Sequence, residues 1–495
     1  MSASQGLACL LAMRLIGVAA PAAAQTAGGE IPLRPEALRF APLVPEVPDP
    51  GPLRHLVAGG APVYVLEDHA LPLVNVTVQL RAGAFLDPPG QDGLAALTAT
   101  LVRLGGTAQH PAAELEESIG ALAARLGSSA DDGFATVSLD CLSSRLDESL
   151  DLLFEMLAKP AFDAAPLEAE KRRMVSVMAT RNDDPLRILD REWRWLLYGR
   201  GHVVARYPTA PEIAPIARQD LVAFHARYWV PANMVLAVSG DVDTRAVLAR
   251  LAARFAAFEG RGRPAPWPPP LPRHRPVPGL YSVDVASPQA QVAIGHLGLA
   301  WNGHWNDRGR YAASVAQQVL GGGGFASRLM RRLRTETGLV YGVSSALDIG
   351  VLWPEPFEIR FAADPANAGR AVTLALEEVR RLRDTRVSDE ELETAKNLLL
   401  MQLADTFGSA RKTAATLALD ETLGRPHASW RDARDHLLAV TAEEVQAAAQ
   451  QVLRPEEALV LVVGSWSRVA ATGALPPLSH HPLPLRDPLT LPPAP

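Results

Sequence analysis

Residues 220–241 read DLVAFHARYWVPANMVLAVSGD, and residues 443–465 read EEVQAAAQQVLRPEEALVLVVGS. In each, an amphipathic helix pattern runs into a proline, and an apolar strand follows and ends at a glycine. Pro231 precedes Gly240 by nine residues, as Pro455 precedes Gly464, and the two copies lie 224 residues apart. A second landmark lies upstream: a segment closing at Gly105 pairs with one closing at Gly322, 217 residues further on. Each follows an alternating strand, VNVTVQLRAG in the first case and QVAIGHLGL in the second. Two landmarks in the same order at nearly the same offset indicate an internal duplication.

Between the copies, residues 259–279 (EGRGRPAPWPPPLPRHRPVPG) hold eight prolines. That composition suits a semi-rigid spacer. The 495-residue chain therefore divides into a first half, 26–258, and a second half, 280–466. Both halves mix amphipathic helices (ALEEVRRLRD, DEELETAKNLLLMQLADTF) with alternating strands (FATVSLDCL, FEIRFAAD), which predicts an α+β fold of antiparallel-rich sheets packed by helices. Residues 467–495 are proline-rich and read as a disordered tail.

The first 25 residues are apolar and end in Ala22-Ala23-Ala24 before Gln25, the pattern of a secretory signal, so export is expected. Removing that segment leaves Cys141 as the one cysteine, which excludes an intramolecular disulfide. A net charge of -6 gives no electrostatic reason to expect nucleic acid, and no later stretch is long and apolar enough to span a bilayer. Outside the proline tail no two histidines stand at i,i+3 or i,i+4, so a zinc site on one helical face is unsupported, and no phosphate-loop, dinucleotide or serine-hydrolase motif is present.

Two stretches remain informative. Residues 93–107, GLAALTATLVRLGGT, form a helix with apolar spacing and no group able to do chemistry. Residues 320–347, LGGGGFASRLMRRLRTETGLVYGVSSAL, join Gly321, Gly322, Gly323 and Gly324 to an arginine-rich helix, after which Arg334 and Tyr341 flank a turn through Gly338. On the residues alone, the glycines could cap a helix and the arginines could be a solvated face.

From about residue 40 to 466 the chain resembles the insulinase, or pitrilysin, family (M16) of zinc peptidases, which includes the mitochondrial processing peptidase subunits. LGGGGFASRLMRRLRTETGLVYGV, VSDEELETAKNLLLMQLADTFGS, VTAEEVQAAAQQVLRPEEALVLVVG and FHARYWVPANMVLAVSGDVD carry the resemblance, in the family's order. The fold it implies is two homologous domains forming half of a clamshell chamber. Peptide-cutting members carry an inverted H-x-x-E-H zinc motif on the first helix. Laid on GLAALTATLVRLGGT, the first ligand position is Ala96, the general base Ala99 and the second ligand Thr100; the distal ligand falls on Val177 in EKRRMVSV. None can bind zinc or take a proton from its water.

The family also implies an Arg and a Tyr, seven residues apart, that bind the scissile peptide region from the second half; Arg334 and Tyr341 match them. Both can donate hydrogen bonds to a carbonyl becoming an oxyanion. The run Gly321 to Gly324 is similar to the substrate-sensing loop of the processing peptidase's non-catalytic subunit, and LGSSADDGFATVSLD to the edge strand that can pair with an extended peptide. The resemblance thus implies a zinc-free subunit that binds no cofactor itself, pairs as a heterodimer with a zinc-bearing homologue, handles peptide and works in the periplasm. The other reading is a non-enzymatic peptide-binding or assembly protein of the same fold.

Overall fold

The computed structural model describes residues 44–57, 60–256, 258–268, 274–300, 308–426 and 428–492. The expected signal segment lies outside them. The described chain belongs to one compact unit.

In the first half, β1 (Arg54–Leu56), β2 (Pro62–Glu67), β3 (Leu73–Leu80), β4 (Arg125–Ala130), β5 (Ala135–Leu142) and β6 (Met234–Gly240) form one sheet in the order β1-β2-β6-β3-β5-β4. The second half supplies β7 (Gly279–Asp284), β8 (Ala290–Leu297), β9 (Leu299–Ala300), β10 (Val340–Leu347), β11 (Ile349–Gly350), β12 (Pro356–Ala363), β13 (Leu459–Gly464) and β14 (His480–Leu483). Its main sheet runs β14-β7-β13-β8-β12-β10, while β9 and β11 make a small parallel pair. Strand by strand, β2, β6, β3, β5 and β4 correspond to β7, β13, β8, β12 and β10. The duplication read from the two proline-to-glycine landmarks is a duplication of topology, because Pro231 leads into β6 and Pro455 into β13.

Both landmark strands are buried along nearly their whole length, MVLAVSG in one and LVLVVG in the other. A strand buried on both faces needs a cover on each side. One face of each sheet meets the helices of its own half. The other is covered by exchange. Helix Pro185–Tyr198 of the first half lays Ile188, Leu189, Trp193 and Leu197 against Tyr281, Val283, Leu459 and Leu461 of the second sheet. Helix Ala410–Leu423 of the second half lays Ala414, Leu417 and Ala418 against Tyr64, Val235 and Ala237 of the first. Each crossing is fastened by polar bonds. Trp193 donates to Glu358 at 2.9 Å and Tyr198 to the Pro354 carbonyl at 2.8 Å. In the other direction Glu421 accepts from Arg54 at 2.8 and 2.9 Å and from the Tyr64 hydroxyl at 2.7 Å.

The proline-rich segment 259–279 is not a free-standing spacer where it is described. Ala265 is buried with the first core and its N–H donates to Asn233 at 2.6 Å, while Trp267 lies under the Arg81 guanidinium at 4.1 Å.

The tail expectation requires correction. Residues 466–470 form a short helix and β14 adds to the second sheet beside β7, pairing in parallel. Where β1 closes the outer edge of the first sheet, no strand among the described residues before β7 does so in the second, and the C-terminal segment fills that edge. It then crosses to the first half: the Leu489 carbonyl accepts from Ala210 N–H at 2.9 Å, Arg486 pairs with Glu192, and Leu491 is buried. Many prolines do not prevent a segment from ordering when an unpaired strand edge and a buried carboxylate await it.

Candidate functional site

Arg334 sits in a π-helical stretch, Met330–Glu336, at the end of which the chain turns through Gly338. Gly338 has φ +62°, a conformation glycine takes without penalty, and its N–H bonds the Arg334 carbonyl at 2.9 Å while the Leu339 N–H bonds that of Leu333 at 2.9 Å. The chain re-emerges as β10, the outer strand of the second sheet, whose register with β12 shifts between Val340 and Val343. Such an irregularity re-aims side chains. Tyr341 falls inside it and is 84% exposed. The outcome is direct contact: the Arg334 guanidinium lies 4.8 Å from the centre of the Tyr341 ring. A wide π turn, a left-handed glycine and a bulge thus turn a seven-residue spacing into a shared, solvent-facing site. π turns are often found at functional positions.

A third side chain completes the arrangement. The Phe325 ring lies 4.7 Å from the same guanidinium and is 72% exposed, so Arg334 packs against two aromatic rings. That fixes its planar fork while leaving its N–H donors free to meet a carbonyl. Phe325 was not singled out in the sequence; the only signal for it is an apolar residue directly after four glycines.

Gly321 and Gly322 close a second π turn, Gln318–Gly322, and Gly324 opens a single 3-10 turn, with Gly323 between them. The close approach is at Gly321, where a Cβ would stand 2.7 Å from the Ser345 nitrogen of β10. The glycine run is what lets this loop lie against the strand that carries Tyr341.

The positions matching the zinc motif lie on other elements. Helix Leu94–Leu104 holds Ala96 and Thr100 one turn apart, both half-buried, and Ala99 with no exposure. Val177 is on helix Ala164–Ala179, which packs against it, and is 48% exposed. The helix pair is therefore kept, and its four positions carry three hydrocarbon side chains and one hydroxyl. A zinc ion needs imidazole, thiolate or carboxylate donors. These residues do not fit one, and among the described residues no group of three or more His, Cys, Asp or Glu could hold a metal ion. The helix start is fixed by Asp87, whose carboxylate accepts from Gly93 at 2.8 Å and Ala95 at 2.7 Å; burial pushes its pKa up to about 7 against the pull of those two N–H groups.

Of the lone histidines, His225 and His296 are buried and serve the cores: one nitrogen of His225 meets the Leu157 carbonyl at 3.0 Å, and His296 accepts from the Arg454 N–H at 3.0 Å. Strand β4, the expected peptide-pairing surface, is one of the two edge strands of the first sheet, as β10 is of the second.

Comparison with known proteins places these features. Residues 63–191 match the insulinase (peptidase family M16) family and residues 215–399 the peptidase M16 inactive domain. An uncharacterized zinc protease of Mycobacterium tuberculosis is 29% identical over 331 residues, covering 63% of this chain and 70% of that protein. A Helicobacter pylori protein described as a non-peptidase homolog is 24% identical over 345 residues, 68% of this chain and 77% of that one. The crystal structure of a peptidase M16 inactive domain from Pseudomonas fluorescens superposes with a TM-score of 0.74 at 25% identity, covering 87% of this chain and 99% of that one.

Proposed function

Because the chain belongs to the peptidase M16, or insulinase, family, we propose that it is an exported, periplasmic, zinc-free subunit of a heteromeric M16 metallopeptidase. It forms half of the chamber around a peptide and lends Arg334 and Tyr341 to the zinc site of a second, zinc-bearing homologue.

One contrast carries this reading. The Arg334 and Tyr341 side chains touch, with Tyr341 exposed and Arg334 partly so, whereas Ala96, Ala99, Thr100 and Val177 offer a metal no ligand. A pure scaffold has no use for a guanidinium packed against two exposed aromatic rings, since exposed aromatic surface is normally covered or employed. The division of labour follows from the chemistry. A zinc ion held by the partner would supply Lewis-acid chemistry at the carbonyl and at water, and in this chain Arg334 and the Tyr341 hydroxyl would donate to the carbonyl oxygen as negative charge grows on it. The outer strands β4 and β10 would hold the peptide backbone in extended form by adding it as a further strand.

The test is a purified complex with the zinc-bearing homologue, carrying Arg334→Ala together with Tyr341→Phe in this chain. Losing such donors should slow peptide cleavage by about 100-fold or more. Cleavage at the unaltered rate would remove the catalytic part of the reading and favour an assembly role.

A further inference from the structure

The tight turn Pro231–Asn233, which leads into β6, also anchors two arginines. The Arg81 N–H, directly after β3, bonds the Asn233 carbonyl at 3.1 Å, and the Ala232 N–H bonds the Arg261 carbonyl at 2.9 Å. Both side chains line a cavity of about 410 Å³ at this end of the first sheet, and Glu421 and Thr422 of helix Ala410–Leu423 complete its wall. A volume of that size encloses a small ligand.

The charges of the wall do not balance. It carries three guanidinium groups, Arg54, Arg81 and Arg261, against one carboxylate, Glu421. Glu421 is already engaged by Arg54 and by the Tyr64 hydroxyl, and its neighbour Asp420 is taken by Arg425 at 3.3 Å and by the Trp430 N–H at 2.6 Å. Arg81 and Arg261 form no ion pair and no side-chain hydrogen bond among the described residues. Burial pushes the Arg81 pKa below its usual value, and no carboxylate acts to raise it. A half-buried charge without a counter-ion is unfavourable until something pairs with it. The geometry shows where that partner would bind. The Trp267 ring, 4.1 Å from the Arg81 guanidinium, covers one of its faces and leaves the edge for hydrogen bonding. On that edge Nε is sealed inside the protein, whereas Nη1 and Nη2 are unbonded and not sealed. Opposite, Gly60 has φ +76°, and a Cβ there would stand 3.2 Å from Arg261 Nη1, so the bare glycine gives the second guanidinium its place.

We propose that this cavity binds the oxyanion group of a small molecule, a carboxylate or a phosphate, which Arg81 grips through Nη1 and Nη2 while Arg261 supplies a second positive charge. Two nitrogens in one plane match two oxygens of such a group, and a charge-assisted pair of this kind is about twice as strong as a neutral one. The site shares no residue with Arg334 and Tyr341 and requires neither zinc nor a second subunit, so it stands or falls apart from the peptidase reading.

The experiment is isothermal titration calorimetry on the full chain alone, with inorganic phosphate, with trialanine and with trialanine amide as probes. Sodium chloride holds the ionic strength constant, so that general screening is the same in every titration. The expected result is saturable binding of one equivalent of phosphate or of trialanine, and none of the amide, which lacks the carboxylate. Binding of phosphate alone would identify a phosphate ligand and binding of trialanine alone a carboxylate. Arg81→Gln should weaken the bound probe by about tenfold or more. Arg261→Gln, at an exposed position, should weaken it in the same direction and serves as the test if Arg81→Gln does not fold. Absence of binding by both phosphate and trialanine would overturn the proposal, as would binding that the substitutions leave unchanged or that the amide shows equally.

Discussion

Arg486→Ala tests whether the C-terminal segment ties the two halves together. Arg486 is the end of a strap that starts as β14 on the second sheet and finishes on the first half. Its Nε lies 3.1 and 3.3 Å from the two oxygens of Glu192, its Nη1 donates to the Pro492 carbonyl at 2.7 Å, and its guanidinium lies 5.0 Å from the Trp195 ring. Arg486 and Glu192 are almost wholly buried. Glu192 has a raised pKa because burial disfavours its charge, against the pull of Arg486 and Arg191. Removing one partner of a buried pair costs about 3–5 kcal/mol, since the remaining charge is stranded. Arg191 stays within 3.2 Å of Glu192, so the lower end applies, about 3 kcal/mol. Urea unfolding at neutral pH reads this directly as a lower midpoint. Adding Glu192→Gln to Arg486→Ala should recover part of the loss, because no uncompensated carboxylate is then buried. A cost below about 1 kcal/mol for Arg486→Ala would mean that the segment is only laid on the surface, and the strap account would be wrong.

Acid should weaken the first core through His225. Burial pushes its imidazole down to about 4, with the Leu157 carbonyl offsetting part of the effect, so the unfolded chain takes up a proton below about pH 6.5 that the folded chain refuses. The contribution is intact above that pH and is lost as pH falls toward 4; between pH 7 and 5 it amounts to about 2 kcal/mol, and His225→Gln should flatten that part of the stability profile. Gly321→Ala would press a methyl group to 2.7 Å of the Ser345 nitrogen and should destabilise the chain by about 1–3 kcal/mol, measurable by thermal unfolding.

Much of the architecture was legible because it rests on local patterns that occur twice. A proline followed nine residues later by a glycine, with apolar residues between, can hardly be anything but a buried strand entered by a tight turn, and Pro231–Gly240 and Pro455–Gly464 both are. The zinc helix was legible as a blank, because Ala96, Ala99, Thr100 and Val177 have side chains whose chemistry does not depend on where they sit. The resemblance to the M16 family pointed to Arg334 and Tyr341 as a pair, but their contact depends on a π turn and a bulge that no periodicity reports.

Long-range pairing was illegible. Nothing in HHPL suggests a strand, because what makes it one is the open edge of β7. The exchange of helices Pro185–Tyr198 and Ala410–Leu423 was hidden for the same reason: each has its apolar partner in the opposite half.

The central claim is that the reacting metal and the groups that stabilise the transition state belong to different chains. It is tested most directly by measuring peptide hydrolysis and bound zinc on this chain alone, on its zinc-bearing homologue alone, and on the two mixed. The account predicts cleavage only in the mixture, with zinc only in the homologue. Stoichiometric zinc and cleavage by the isolated chain would contradict it.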